Sequence, residues 1–148
     1  MESVESRQYP PRPIVGIGVV VWHGDRVLLV RRGKPPRRGQ WSLPGGAQQL
    51  GETLAEAARR EVREEVALEV DLGEIVATLD LIERDPDQRV RYHDTLVDFT
   101  AEAAGLALQP GSDAADARWF TLEQIETLGL WSETVRIIKL ARKRRPCR

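Results

Sequence analysis

The sequence predicts a single α/β domain on three observations. Two short β-branched runs joined by turn residues open its patterned part. An uninterrupted segment of Ala, Leu, Arg and Glu follows, and further strand-like runs then give way to two more helical segments. Strands interleaved with helices, without an internal repeat or a low-complexity linker, fit one layered domain. At 148 residues the chain is long enough to bury about two thirds of the surface its unfolded form exposes.

Residues 1–13, "MESVESRQYPPRP", are polar and proline-bearing and read as a loose or extended lead-in to one domain over residues 14–148. "IVGIGVVVW" and "RVLLV", separated by "HGD", read as two paired strands between Ile14 and Val30. A basic loop from Gly33 to Gln40 and the glycine-rich "WSLPGG" lead into a helix expected over Thr53 to Val66, where no Gly or Pro interrupts. "IVATLDLIER" and "VRYHDTLVDFTA" flank the turn sequence "DPDQ" and predict a long hairpin. "ARWF" reads as a short strand. Thr121 with Gln124 three residues on forms a capping-box pattern before "TLEQIETL", and Ser132 is the expected cap of the last helix.

Composition excludes several classes. With 41% hydrophobic and 30% charged residues the chain is ordinary for a folded protein and not for a disordered one. Its net charge of −1 hides basic stretches at "RRGKPPRR" and "RKRRPCR", but no single basic face points to duplex nucleic acid. The longest apolar run, Ile14 to Trp22, is too short to span a bilayer, and no charged leader precedes it, so no membrane association is expected. The only cysteine, Cys147, has no partner for an internal disulfide, which fits a reducing cytoplasm. Monomer and homodimer are both compatible with the sequence.

The chemistry concentrates in "REVREE", Arg60 to Glu65. On a helix Glu61 faces both Glu64 and Glu65, and each like-charge pair costs roughly 0.2–0.5 kcal/mol. On a wheel, Leu54, Ala58, Val62 and Val66 form an apolar stripe bordering the sector of Glu61 and Glu65, while Arg59 and Arg63 point elsewhere. Carboxylates gathered beside a buried stripe call for a cation. Hard oxygen donors suit Mg²⁺, Mn²⁺ or Ca²⁺ better than zinc, and Mg²⁺ characteristically joins one or two carboxylates to substrate phosphates.

Gly46, Glu52, Arg60, Glu61, Val62, Glu64, Glu65 and Leu68 stand in the register of the Nudix hydrolase signature, and the chain resembles that family. One position departs: Ala67 stands where the family has glycine. A left-handed cap there would cost alanine about 1–2 kcal/mol, so the expectation is a helix that runs through Ala67 or leaves it in an ordinary conformation. The resemblance implies a Nudix-like α/β/α sandwich around a mixed β-sheet, with the signature forming a loop-helix-loop. It also implies a Mg²⁺-dependent hydrolase, with Mn²⁺ able to substitute, acting on a nucleoside diphosphate linked to another group. Glu61 and Glu65 would be metal ligands, Glu64 a further ligand or the base that prepares water, and Glu52 a ligand through water. Arg60 would orient the carboxylates, and Gly45 and Gly46 would let backbone pass close to metal or phosphate.

"GQWSLPGG" before this box resembles the branch often assigned to ADP-ribose, which makes ADP-ribose the first substrate to test. Nucleoside triphosphates, including oxidised ones, are the alternative within the family. A module that senses a nucleotide without cutting it is the alternative of another class, opposed by the intact carboxylate set. Arg37 and Arg38 in the basic loop are either solvated or grip substrate phosphates, and Asp113 and Asp116 are candidates for a base from a later loop. His23 is expected in an exposed turn, His93 in packing, Trp41, Trp119 and Phe120 in the core, and the terminal "RKRR" as a solvated helix end.

Overall fold

The computed structural model describes residues 7–33, 39–105 and 114–145, with the backbone alone at Ala114 and Ala115. Arg37, Arg38, Asp113 and Cys147 lie outside the described residues. Ten elements follow one another: β1 (Ile14–His23), β2 (Arg26–Arg32), β3 (Trp41–Ser42), β4 (Gly45–Ala47), α1 (Leu54–Val66), β5 (Val70–Arg84), β6 (Val90–Ala103), β7 (Ala114–Thr121), α2 (Leu122–Thr127) and α3 (Ser132–Arg144). The sheet has seven strands in the order β3-β2-β1-β6-β5, with β4 added to β1 and β7 to β2. It is mixed, because β1 runs parallel to β6 while the other pairs are antiparallel.

The sheet has a helical layer on each face, as side-chain alternation along its strands requires. Val19 and Val21 of β1, Leu28 and Val30 of β2 and Val97 and Phe99 of β6 pack on Ala57, Ala58, Val62 and Val66 of α1. Their neighbours Val20, Trp22, Val27 and Leu29 point the other way, onto Phe120, Ile125 of α2 and Ile137, Ile138 and Ala141 of α3. Burial on both faces explains why β1 reads as a continuous apolar run with no polar alternation.

Both capping boxes form: Thr53 caps α1 with Glu56, and Thr121 caps α2 with Gln124. The expected Ser132 cap does not. Ser132 is the first residue of α3, and Trp131 before it makes no side-chain capping bond, so Ser132 sits one position too late to cap. The hairpin turns where Asp85 Oδ1 accepts from the backbone of Asp87 and Arg89, but β5 begins at Val70, ahead of the predicted strand. The terminal "RKRR" is not wholly a solvated end: Arg145 pairs with Glu102 at 2.8 Å and lies over the Trp22 ring. His23 ends β1, half-buried, with its ring 5.8 Å from that of Trp119, instead of standing in an exposed turn.

Ala67 overturns the expectation placed on it. It is the left-handed cap of α1, at φ 57 and ψ 32, and its N–H donates to the Arg63 carbonyl. Leu68 beyond it must turn into the core, where it is 7% exposed, and the helix stops here whatever alanine prefers. Ala67→Gly should therefore relieve about 1–2 kcal/mol of backbone strain, against about 0.5–1 kcal/mol from glycine's freedom when unfolded. The expected result in chemical denaturation is a small rise in midpoint; a fall would place the strain elsewhere.

Asp98 of β6 is buried at 6% exposure, and its Oδ2 has no hydrogen-bond partner among the described residues. Glycine at position 18 makes its room, since a Cβ there would overlap Asp98 Oδ1. Burial raises the Asp98 carboxyl from its ordinary 3.8 to about 6, and the charge of Arg136 on α3 offsets this only in part. Between these two values the unfolded chain is ionised while the folded one keeps its proton. Stability should therefore fall as pH rises through this window and level off above it, the whole difference being about 3 kcal/mol. Asp98→Asn should raise the melting temperature more at pH 7.5 than at pH 4.5, and an equal effect at both would remove Asp98 as the cause.

Candidate active site

β4 and α1 meet at the glycine pair. Gly45 and Gly46 pair with Gly18 and Ile17 of β1, and neither tolerates a side chain. A Cβ on Gly45 would overlap the Ile17 carbonyl, and one on Gly46 would lie 2.5 Å from the Glu61 carboxylate. The strand thereby comes close enough for the Gly45 N–H to donate to Glu65 Oε2 at 3.3 Å. The loop after β4 turns back at once: Gln49 N–H donates to Glu52 Oε1, and the Gln48 side chain donates to the Glu52 carbonyl. Glu52 is thus held at the mouth of α1.

Arg60 ties the constellation together. Its Nε and Nη2 donate to the two oxygens of Glu52 at 2.6 and 2.9 Å, and Nη1 donates to Glu61 at 2.7 Å and Glu64 at 3.2 Å. Nη2 also donates to the Ala47 carbonyl at 3.0 Å. A guanidinium has five N–H donors, so this one is fully used. Arg60, Glu52 and Glu61 expose 16%, 13% and 13% of their side chains, whereas Glu64 exposes 44%. The Arg60 bond lowers the Glu52 carboxyl. For Glu61 burial outweighs the same bond and raises the carboxyl.

Glu52, Glu61, Glu64 and Glu65 are therefore gathered around one helix, as the spacing predicts. Among the described residues, however, no three acidic or other ligating side chains converge as they stand on a point that could hold a metal. Arg60 lies between Glu52, Glu61 and Glu64 and spreads them. The donor set nevertheless fits a hard divalent ion: all its donors are carboxylate oxygens, and Gly46 leaves a cradle against Glu61 that any side chain would fill.

Asp116 is on β7, where its carboxylate accepts from the Ala117 N–H and pairs with Arg118 at 2.9 Å. Among the described residues no hydrogen bond or ion pair joins it to the α1 glutamates. Trp41 is only partly buried, packed against the core and edge-on to Phe120 at 5.1 Å. Sequence reasoning missed Arg7, whose positive charge acts on Glu61 from the lead-in; nothing in the local pattern "SRQYP" marks it.

The NUDIX domain model matches residues 12–141. The chain is 30% identical over 123 residues to the ADP-ribose pyrophosphatase of Methanocaldococcus jannaschii, across 83% of this chain and 70% of that protein. It is also 30% identical over 144 residues to the 8-oxo-dGDP phosphatase NUDT18 of Homo sapiens, but spans only 42% of that longer protein. Among solved structures, the NUDIX domain of Shewanella oneidensis NrtR complexed with ADP ribose superposes with a TM-score of 0.74 at 26% identity, covering 97% of this chain and 99% of that one. The α/β fold is the one that the solved NUDIX domain shares. The chain belongs to the NUDIX hydrolase family. Among the described residues no helix is long and apolar enough to cross a membrane.

Proposed function

We propose that the protein hydrolyses the pyrophosphate bond of a nucleoside diphosphate derivative with the help of a divalent metal ion, Mg²⁺ first and Mn²⁺ in its place, and that ADP-ribose is the substrate. The observation that carries this reading is the bracing of Glu52, Glu61 and Glu64 by a single arginine beside Gly46. Likeness to an ADP-ribose pyrophosphatase and to a NUDIX domain holding ADP-ribose supports the choice of substrate.

In this reading Glu61 and Glu65 hold the ion, Glu64 is a further ligand or the base that takes the water's proton, and Glu52 reaches the ion through water. A bound divalent ion neutralises the pyrophosphate oxygens and lowers the pKa of the attacking water. Arg60 keeps the carboxylates at fixed angles before substrate arrives, so little ordering remains to be done. Gly45 and Gly46 let the substrate's phosphates approach the backbone, Arg37 and Arg38 grip them, and Asp113 or Asp116 is the alternative base.

The likeness to an 8-oxo-dGDP phosphatase favours oxidised nucleotides as the second substrate class. A panel of ADP-ribose, nucleoside triphosphates and their oxidised forms, assayed with magnesium and resolved by chromatography, separates the readings. ADP-ribose should give AMP and ribose 5-phosphate at the highest kcat/KM. Faster cleavage of an oxidised nucleotide would move the assignment to that class, and binding of ADP-ribose without cleavage would make the protein a sensor.

A further inference from the structure

We propose that Gln48, in the loop between β4 and α1, is a positioning residue whose side-chain amide fixes Glu52 and thereby keeps Arg60 from closing on Glu61 and Glu64. The proposal rests on the functional reading above for what those carboxylates hold. Residues 47–52 lack an apolar anchor, since Leu50, their one large apolar side chain, is fully exposed. Gly51 turns the chain back at φ 84, and hydrogen bonds keep the turn in place. Gln48 is half-buried, and its backbone N–H donates to the Val15 carbonyl of β1 at 2.9 Å. From that fixed point its side-chain Nε2 donates to the Glu52 carbonyl at 2.6 Å. The bonding of the helix begins at Thr53, whose carbonyl accepts from Ala57; the Glu52 carbonyl ahead of it takes its donor from Gln48.

Among the described residues, the side chains that bond to Glu52 are those of Gln48 and Arg60. Gln49 adds its backbone, donating to Glu52 Oε1 at 3.0 Å and accepting from the Glu52 N–H at 3.1 Å. With Glu52 held in this way, Arg60 places Nε and Nη2 on its two oxygens and leaves Nη1 alone to Glu61 and Glu64. A guanidinium pairs best with a carboxylate through two parallel N–H bonds. Should Glu52 swing away, Nε and Nη2 would lose their acceptor and turn to Glu61 and Glu64, in competition with the ion. The Gln48 amide thus acts through Glu52 and Arg60 and is not itself a ligand.

The test compares wild type with Gln48→Met, which keeps the length of the side chain and loses the donor, and with Gln48→Asn, which keeps the amide on a shorter stem. Three quantities are measured on each: the Kd of Mn²⁺ alone by electron paramagnetic resonance, the magnesium concentration giving half the maximal rate on ADP-ribose, and the melting temperature in EDTA. Removing a group that orients metal ligands weakens metal binding by about tenfold or more. Gln48→Met should therefore raise the Mn²⁺ Kd and the magnesium midpoint by that factor, with KM for ADP-ribose at saturating magnesium unchanged. Gln48→Asn should fall between. Wild-type values of both in Gln48→Met would overturn the proposal, while cleavage by the wild type would still uphold the functional reading. A lower melting temperature at unchanged Kd and midpoint would also overturn it, leaving Gln48 with a role only in the stability of the loop. If wild type cleaved none of the panel while Gln48→Met still bound Mn²⁺ more weakly, the functional reading would fail and the role of Gln48 would stand.

Discussion

Glu61→Gln should cut ADP-ribose turnover at least about a hundredfold while the protein stays folded. Glu61 is enclosed by the site, with Gly46 behind it and Arg60 at 2.7 Å beside it. Glutamine keeps the shape and an oxygen able to accept from Arg60, so the packing of α1 on the sheet survives. The negative charge that would hold a metal ion does not. A ligand charge contributes several kcal/mol to transition-state stabilisation, and each 1.36 kcal/mol is tenfold in rate. Glu65→Gln should behave alike, because its partner at Gly45 is a backbone N–H that an amide oxygen also satisfies. Melting curves recorded beside the kinetics separate lost chemistry from lost fold. A folded Glu61→Gln protein working at the parental rate would remove this helix from the metal site.

Arg60→Ala should be the most destabilising change at the site, at about 2–4 kcal/mol. It leaves Glu52 and Glu61, each only 13% exposed, without their cation, and Glu64 beside them. The bland alternative, a surface ion pair contributing less than about 1 kcal/mol, applies to Arg63 and Glu69, which are 55% and 73% exposed. The two cases differ in their response to magnesium. A divalent ion can replace the missing positive charge, so millimolar magnesium should raise the melting temperature of Arg60→Ala more than that of wild type. An equal response in both proteins would mean that Arg60 and the ion do not serve the same carboxylates.

What could be read in the sequence followed from short-range pattern. The β-branched runs of β1 and β2, the capping boxes at Thr53 and Thr121 and the "DPDQ" turn each carry their signal within a few residues, and all form. The sector of Glu61 and Glu65 was legible because helical periodicity alone puts them beside the stripe of Ala58 and Val62. Tertiary demand set the rest. Ala67 turns left-handed because Leu68 must enter the core, a constraint that helix propensity does not contain. The sheet pairing of Gly45 and Gly46 follows from β1, some thirty residues upstream. Arg145 reaches Glu102 and Arg7 acts on Glu61 across the fold. Such contacts join positions that no local window holds together.

Metal-dependent cleavage at the α1 carboxylates is tested most directly by stripping the protein with EDTA, confirming that it is folded, and titrating magnesium back against ADP-ribose. AMP and ribose 5-phosphate should be absent in chelator and appear with saturable dependence on magnesium, with manganese able to replace it. Cleavage at the same rate in EDTA as in magnesium would contradict the account.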